Sequence, residues 1–223
     1  MGDINMIVDV HGIKIKLTNK EDYLQHYLLT GNFYEERQLK RLLFRCKKGY
    51  NIIDIGTNVG NHAFYFAKFF EANTVYVFEP NQIVREVFLE SVKLNNFDCI
   101  NTDYIHFALG NKVGKCSIDV SPENNIGATS LKPDSFGEIS VTTGDSLFLD
   151  KQIDLIKIDV EGMEREVIEG LQETINKNKP IMFVEIRHQN RYWFEQWLHN
   201  NNYQILDVVE SNLEYDNLIV GVK

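Results

Sequence analysis

Between Met6 and Leu17 the apolar residues fall largely on alternate positions, with Ile7, Val8 and Val10 before His11-Gly12 and Ile13, Ile15 and Leu17 after it. A two-residue period on both sides of a glycine turn predicts a β-hairpin. The period then lengthens. Asn19 to Leu29 and Tyr34 to Phe44 read as helices, the first capped by Asn19 and the second carrying Leu39, Leu42, Leu43 and Phe44 on one face, with breaks at Gly31-Asn32 and Gly49. Short, nearly continuous apolar runs follow at Ile52–Ile55, Thr74–Phe78, within Ile100–Leu109, at Ile153–Val160 and at Ile181–Ile186. Helical patterns alternate with them, after Asn61, from Asn81 to about Asn95, from Met163 to Leu171 and from Tyr192 to Leu198. Strand and helix in alternation predict an α/β fold with a doubly wound, mostly parallel sheet. The tail, Tyr203–Val209 and Leu218–Val222, reads as an antiparallel pair.

Two stretches depart from this rhythm. Residues 1–48 form a hairpin and helical extension expected to pack on a main domain of residues 49–223. From Gly110 to Gly144 the pattern breaks into short β-like pieces, including Lys115–Val120 and Glu138–Thr142, separated by polar connections bearing Gly and Pro. Such an insertion is either a substrate loop or a solvated connection.

Composition narrows the class. With 223 residues, 43% hydrophobic and 25% charged, the chain can bury one substantial core. Its net charge of −9 opposes a long contact with a phosphate backbone, and Lys47-Lys48 is too short to reverse that, so no nucleic acid partner is expected. Cys46, Cys99 and Cys116 are scattered without Cys-x-x-Cys spacing, which suits a reducing cytosol. The first residues lack a basic n-region and an apolar h-region, and no apolar run is long enough to cross a membrane. Nothing in the pattern specifies an oligomeric state.

The chemistry begins at Asn51–His62, a buried strand ending in Asp54 and followed by Gly56, Asn58 and Gly60 before a helix. Glycines there let a ligand approach the backbone. A carboxylate at the strand tip would repel a pyrophosphate, whereas S-adenosylmethionine carries an ammonium and a sulfonium that it suits. The stretch is therefore read as a methyl-donor pocket, the other reading being a structural turn of a different α/β protein. Glu79, at the end of the second run, stands where such sheets present an acid to ribose hydroxyls. Asn58 either orients the methionine end or simply tolerates an unusual backbone angle.

Taken together, Asp54-Ile-Gly-Thr-Asn-Val-Gly60, Val77-Phe-Glu-Pro-Asn81, Ala108-Leu-Gly-Asn111, Asp154-Leu-Ile-Lys-Ile-Asp-Val-Glu-Gly-Met-Glu164 and Phe183-Val-Glu-Ile186 resemble the FkbM-type family of S-adenosylmethionine-dependent methyltransferases. The resemblance implies a seven-stranded Rossmann-like sheet of the class I methyltransferase type and O-methylation of sugars or other small hydroxyl-bearing molecules. It places the donor against Asp54, Gly56, Asn58, Gly60, Glu79 and Ala108. Thr57 stands where the family often has Ala, and Tyr34-Glu35 matches a Tyr-Glu pair before the first strand of the sheet. The first fifty residues and the insertion match weakly, so the acceptor does not carry over. An NAD-dependent Rossmann oxidoreductase and a non-catalytic cofactor-binding protein are the alternatives.

Methyl transfer from a sulfonium is an in-line displacement that gains most from alignment of the reactants, yet an alcohol must still lose its proton. Asp159, Glu161 and Glu185 are the acids expected at adjacent strand ends, where open α/β sheets bind ligands. Asp159 and Glu185 can instead share a divalent metal. Glu164 suits the helix dipole, a reading equally open to Glu161, and Lys157 is expected to pair with one of these acids or to orient the loop. His188, just after Glu185, is a candidate base or substrate ligand and His62 a candidate border of the cofactor, the other reading being that both are incidental loop histidines. Tyr192, Trp193 and Trp197 either stack on a sugar or, at helical spacing, fill the core.

Overall fold

The computed structural model describes residues 3–120 and 129–223. The chain opens with β1 (Asp3–Val10) and β2 (Ile13–Asn19), an antiparallel pair whose turn residues His11 and Gly12 take positive φ of 54° and 82°. That twist is the one a two-residue hairpin turn needs. The helices α1 (Tyr23–Leu28) and α2 (Glu36–Leu43) follow. Asn19 does not cap α1. The Gln25 carboxamide oxygen accepts the N–H groups of Thr18 and Asn19 at 2.8 and 3.1 Å, which keeps Asn19 in the strand. Asp22 caps instead, accepting from Gln25 N at 3.0 Å.

The main domain then runs β3 (Asn51–Ile55), α3 (Asn61–Phe69), β4 (Thr74–Phe78), α4 (Gln82–Lys93) and β5 (Ile100–Asn101). After it come β6 (Ala108–Leu109), β7 (Gly114–Val120), β8 (Ser130–Pro133), β9 (Ile139–Thr142) and α5 (Gly144–Phe148). The remainder is β10 (Leu155–Ile158), α6 (Glu164–Gly170), α7 (Gln172–Asn178), β11 (Ile181–Arg187), α8 (His188–Asn200), β12 (Tyr203–Ser211) and β13 (Tyr215–Val222). Seven strands form the principal sheet in the order β12-β13-β11-β10-β3-β4-β5. Its five strands from β11 to β5 are parallel, and β13 runs antiparallel to β11.

The stretch Ile100–Leu109, within which one strand is expected, holds two short ones. Turn bonds from Ile105 N to Thr102 O and from Phe107 N to Tyr104 O bend the chain, so β5 joins the main sheet while β6 joins a second one. This second, four-stranded sheet, β6-β9-β7-β8, takes β7, β8 and β9 from the insertion, and the connection 121–128 lies outside the described residues.

Alternation along the central strands sends their side chains into two cores. Ile52, Leu155 and Phe183 join Phe64, Phe66 and Phe88 and the hairpin residues Val10, Ile13 and Leu17 on one face. Ile53, Ile55, Ile156, Ile158 and Val184 join Val167, Phe194 and Trp197 on the other. The hairpin is thus part of the first core, and it is tied further by Lys16 N donating to Ser91 Oγ at 2.9 Å. The aromatic set on α8 resolves mainly as core and support. Trp197 is buried and donates to Gln172 Oε1 at 2.8 Å, Trp193 lies against Arg165, and Tyr192 alone is exposed.

Candidate active site

The period of two that sends Ile53 and Ile55 into one core sends Asp54 to the opposite face, beside Lys157 of the neighbouring strand. Both are buried. The Lys157 ammonium lies 3.3 Å from Asp54 Oδ1 and 3.6 Å from Asp159 Oδ2, and donates to the carbonyls of Gly56 at 2.6 Å and Ile55 at 3.3 Å. Burial pulls this amine down, but Asp54 and Asp159 outweigh it and hold its pKa above the ordinary lysine value. Apart from Lys157, the Asp54 oxygens have no partner among the described residues. One buried cation therefore ties together the strand tip, the loop and the next strand end.

The loop itself is held by backbone geometry. Gly56 has φ of 79°, and a Cβ added to it would lie 1.9 Å from the Asp159 carbonyl oxygen. Asn58 takes φ of 53°, uses its side-chain oxygen on Val59 N at 2.7 Å, and donates its own N–H to Glu79 Oε2 at 2.9 Å. The positive angle is thus the role the structure gives Asn58 directly.

Beside the loop opens a cleft of about 600 Å³, mouth included, lined by Ile55, Gly56, Phe78, Glu79, Phe107, Ala108, Leu109 and Met163 among others. Its mostly apolar walls with few polar groups suit a nucleoside-type ligand. Glu79 projects from the end of β4 and also accepts Asn81 N at 3.0 Å. Burial pushes its carboxyl up to about 7, although the Asn81 and Asn58 N–H groups pull the other way. Gly56, Glu79 and Ala108 line this cleft, whereas Asp54 near the end of β3 and Asn58 and Gly60 of the loop do not.

Asp159 and Glu161 line the same cleft and, with Glu185, bring carboxylate oxygens within 4.8 Å of one another. Burial, Asp159 and Glu161 push Glu185 up to about 10, so it carries a proton at neutral pH. Glu161, at φ of 53°, is bonded by the Arg187 guanidinium. Glu164 is buried, accepting from Gly162 N at 2.6 Å and from Asn190, and so closes the turn that carries Glu161. On the far side of the trio, Glu35 accepts from Asn217 Nδ2 at 2.8 Å and lies 3.0 Å from His62 Nε2. Asn217 is the cross-strand partner of Glu185, which puts both on one face of the sheet. His188 stays apart, 3.8 Å from Asp216.

The raised Glu185 has a consequence for stability. An unfolded glutamic acid releases its proton near ~4.3, so between there and about 10 the folded state binds more protons and stability falls as pH rises. Glu185→Gln removes this loss. The variant is expected to melt higher than wild type at pH 7, by about 1–3 kcal/mol after solvent screening, and to match it near pH 4. Thermal melts at the two pH values measure the difference.

Arg187 and Asn217 escape the motif pattern. Only the isolated polar Asn217 before the apolar run Leu218–Val220 signals a buried partner.

A parallel sheet finished by an antiparallel strand, with the glycine loop and acids at its carboxyl edge, defines a class I S-adenosylmethionine-dependent methyltransferase. The chain belongs to the FkbM methyltransferase family, whose domain matches residues 54–215. It is 26% identical over 186 residues to the hexuronic acid methyltransferase AglP of Haloferax volcanii, covering 81% of this chain and 74% of AglP. Among solved structures it resembles the methyltransferase FkbM of Methylobacillus flagellatus KT, with TM-score 0.58 and 20% identity over 79% of this chain. The chain spans 44% of the length of that structure. It also resembles M. jannaschii TYW2 in complex with AdoMet, with TM-score 0.54, 13% identity and coverage of 98% and 85% of the two chains. Membership of this family sets aside the dinucleotide oxidoreductase. No helix among the described residues is long and apolar enough to cross a membrane.

Proposed function

We propose that this chain transfers the methyl group of S-adenosylmethionine to a hydroxyl of a sugar, glycan or other small molecule. The observation that carries this is the carboxylate trio Asp159, Glu161 and Glu185, two of whose members also wall the donor cleft. The name of AglP, a hexuronic acid methyltransferase, supports a sugar acceptor.

Gly56, Glu79 and Ala108 would hold the donor, with Asp54, Asn58 and Gly60 shaping the loop, and the cleft's apolar walls fit its nucleoside. When bound, the donor supplies an electrophilic methyl carbon on a sulfonium. Asp159 takes the proton of the acceptor hydroxyl. Protonated Glu185 donates a hydrogen bond that orients the acceptor oxygen, and Arg187 keeps Glu161 in place. The different environments of these acids separate their roles. The oxygen donor set also fits a hard divalent ion such as Mg²⁺, which would lower the pKa of a bound hydroxyl. Turnover unchanged by EDTA and by added Mg²⁺ would remove the ion and leave Asp159 as the base.

Glu79 gives the test of the donor site. Its ionised form accepts hydroxyl hydrogen bonds, so S-adenosylhomocysteine affinity is expected to fall below pH 7, by up to about tenfold per unit. In Glu79→Gln the affinity is weaker and this pH dependence is absent. Calorimetry across pH 5.5–8 reads both; a wild-type profile in the variant would take Glu79 out of the pocket.

A further inference from the structure

Three tyrosines meet on the surface of the segment that precedes β3. The ring of Tyr34 lies edge-on to those of Tyr23 and Tyr27, with centroids 5.6 and 5.7 Å away and interplanar angles of 81° and 76°. Tyr23 is 60% and Tyr27 40% exposed, although each is a large apolar ring that burial would favour.

The cluster is held in place from the active site. Asn61, the first residue of α3, clamps the Tyr34 backbone from both sides: its Oδ1 accepts Tyr34 N and its Nδ2 donates to Tyr34 O, each at 2.9 Å. The next residue, Glu35, lies against His62 and Asn217, and Asn217 faces Glu185 across the sheet. Tyr34 also lies within electrostatic reach of Tyr215, and Tyr215 of Glu185, so the cluster's inner ring stands on the same side as the carboxylate trio. Burial, then Glu35, Tyr215, Tyr23 and Glu210, push the Tyr34 phenol up, so it keeps its O–H.

We infer that Tyr23, Tyr27 and Tyr34 form a carbohydrate subsite that binds the sugar units next to the one being methylated. The inference rests on the glycan O-methylation proposed above. A pyranose offers an apolar C–H face and a rim of hydroxyls, and a tyrosine offers an apolar ring with a hydroxyl at its edge. Rigid aromatic rings supply contact area at small entropic cost, and the Asn61 clamp positions Tyr34 before any ligand arrives. An acceptor of one sugar would reach the acids without touching Tyr23 or Tyr27. A longer one would lie across them.

The test compares neutral and uronic trisaccharides with their own monosaccharide units, with S-adenosylhomocysteine formation as readout. Tyr23→Ala/Tyr27→Ala is expected to raise KM for the trisaccharide acceptor by about tenfold with kcat nearly unchanged, because ground-state and transition-state binding are lost equally. The monosaccharide KM stays as in wild type, and Tyr23→Phe/Tyr27→Phe recovers most of the trisaccharide affinity. An unchanged trisaccharide KM, or an equal loss on both acceptors, overturns the subsite while leaving the methylation itself standing. Absence of saccharide methylation with donor binding intact removes the glycan acceptor and the subsite together.

Discussion

Asp159→Asn is expected to lower turnover by about 10²–10⁴-fold, the range a lost general base accounts for, while S-adenosylhomocysteine affinity changes little. On the function proposed above, Asp159 is the member of the trio left free to act. Glu185 retains its proton at neutral pH, and Glu161 is held by Arg187. The Asp159 carboxylate is 36% exposed, borders the cleft, and is steadied by Lys157 at 3.6 Å and by its own N–H on Ile55 O at 3.1 Å. Asparagine keeps the shape and cannot take the proton. Single-turnover rates and calorimetry on the same preparation separate chemistry from binding. Wild-type rates in the variant would transfer the role of base elsewhere. A parallel loss of donor affinity would instead show that Asp159 acts on the cofactor side of the cleft.

Gly56→Ala is expected to be the most damaging small substitution in the loop, and Gly49→Ala supplies its control. Both glycines have φ of 79°, but a Cβ at Gly49 meets nothing within 4 Å, whereas one at Gly56 would lie 1.9 Å from the Asp159 carbonyl oxygen. The control carries only the cost of a left-handed alanine, about 1–2 kcal/mol. At Gly56 the obstacle is backbone, fixed by the parallel register of β3 and β10, so it cannot swing aside as a side chain would. A total cost above about 4 kcal/mol, the mark of a specific structural conflict, and loss of measurable donor binding are expected. Urea unfolding of the two variants side by side gives the difference. Equal destabilisation would mean that the close approach of loop and strand is not what the glycine is for.

Much of this site is legible in the residues because strand ends are punctuated. Asp54 two residues before Gly56, Glu79 before Pro80, and Asp159 and Glu185 after apolar runs each mark where a buried strand reaches the sheet's edge. Register and spacing along the chain carry that information. What is not legible depends on partners far away in sequence. The cap of α1 passed from Asn19 to Asp22 because Gln25 reaches back to the strand. Ile100–Leu109 holds two strands because β6 pairs with β9. Asp54 reads from sequence as a carboxylate aimed at the donor's cations, yet its nearest cation in the fold is Lys157, a contact set by the alignment of two strands. The tyrosine cluster lies within a helical pattern too short and too mixed to show a face.

The bond from Asn217 to Glu35 joins residues 182 positions apart. A ribosome must therefore release nearly all of this stretch before the trio gains its far wall. The donor cleft and the far wall of the acid cluster thus emerge at different moments of synthesis: the cleft's lining is complete in the chain by Met163, while Glu185 awaits Asn217 on β13. Until then the nascent chain carries the whole lining of the cleft without the strand that faces Glu185.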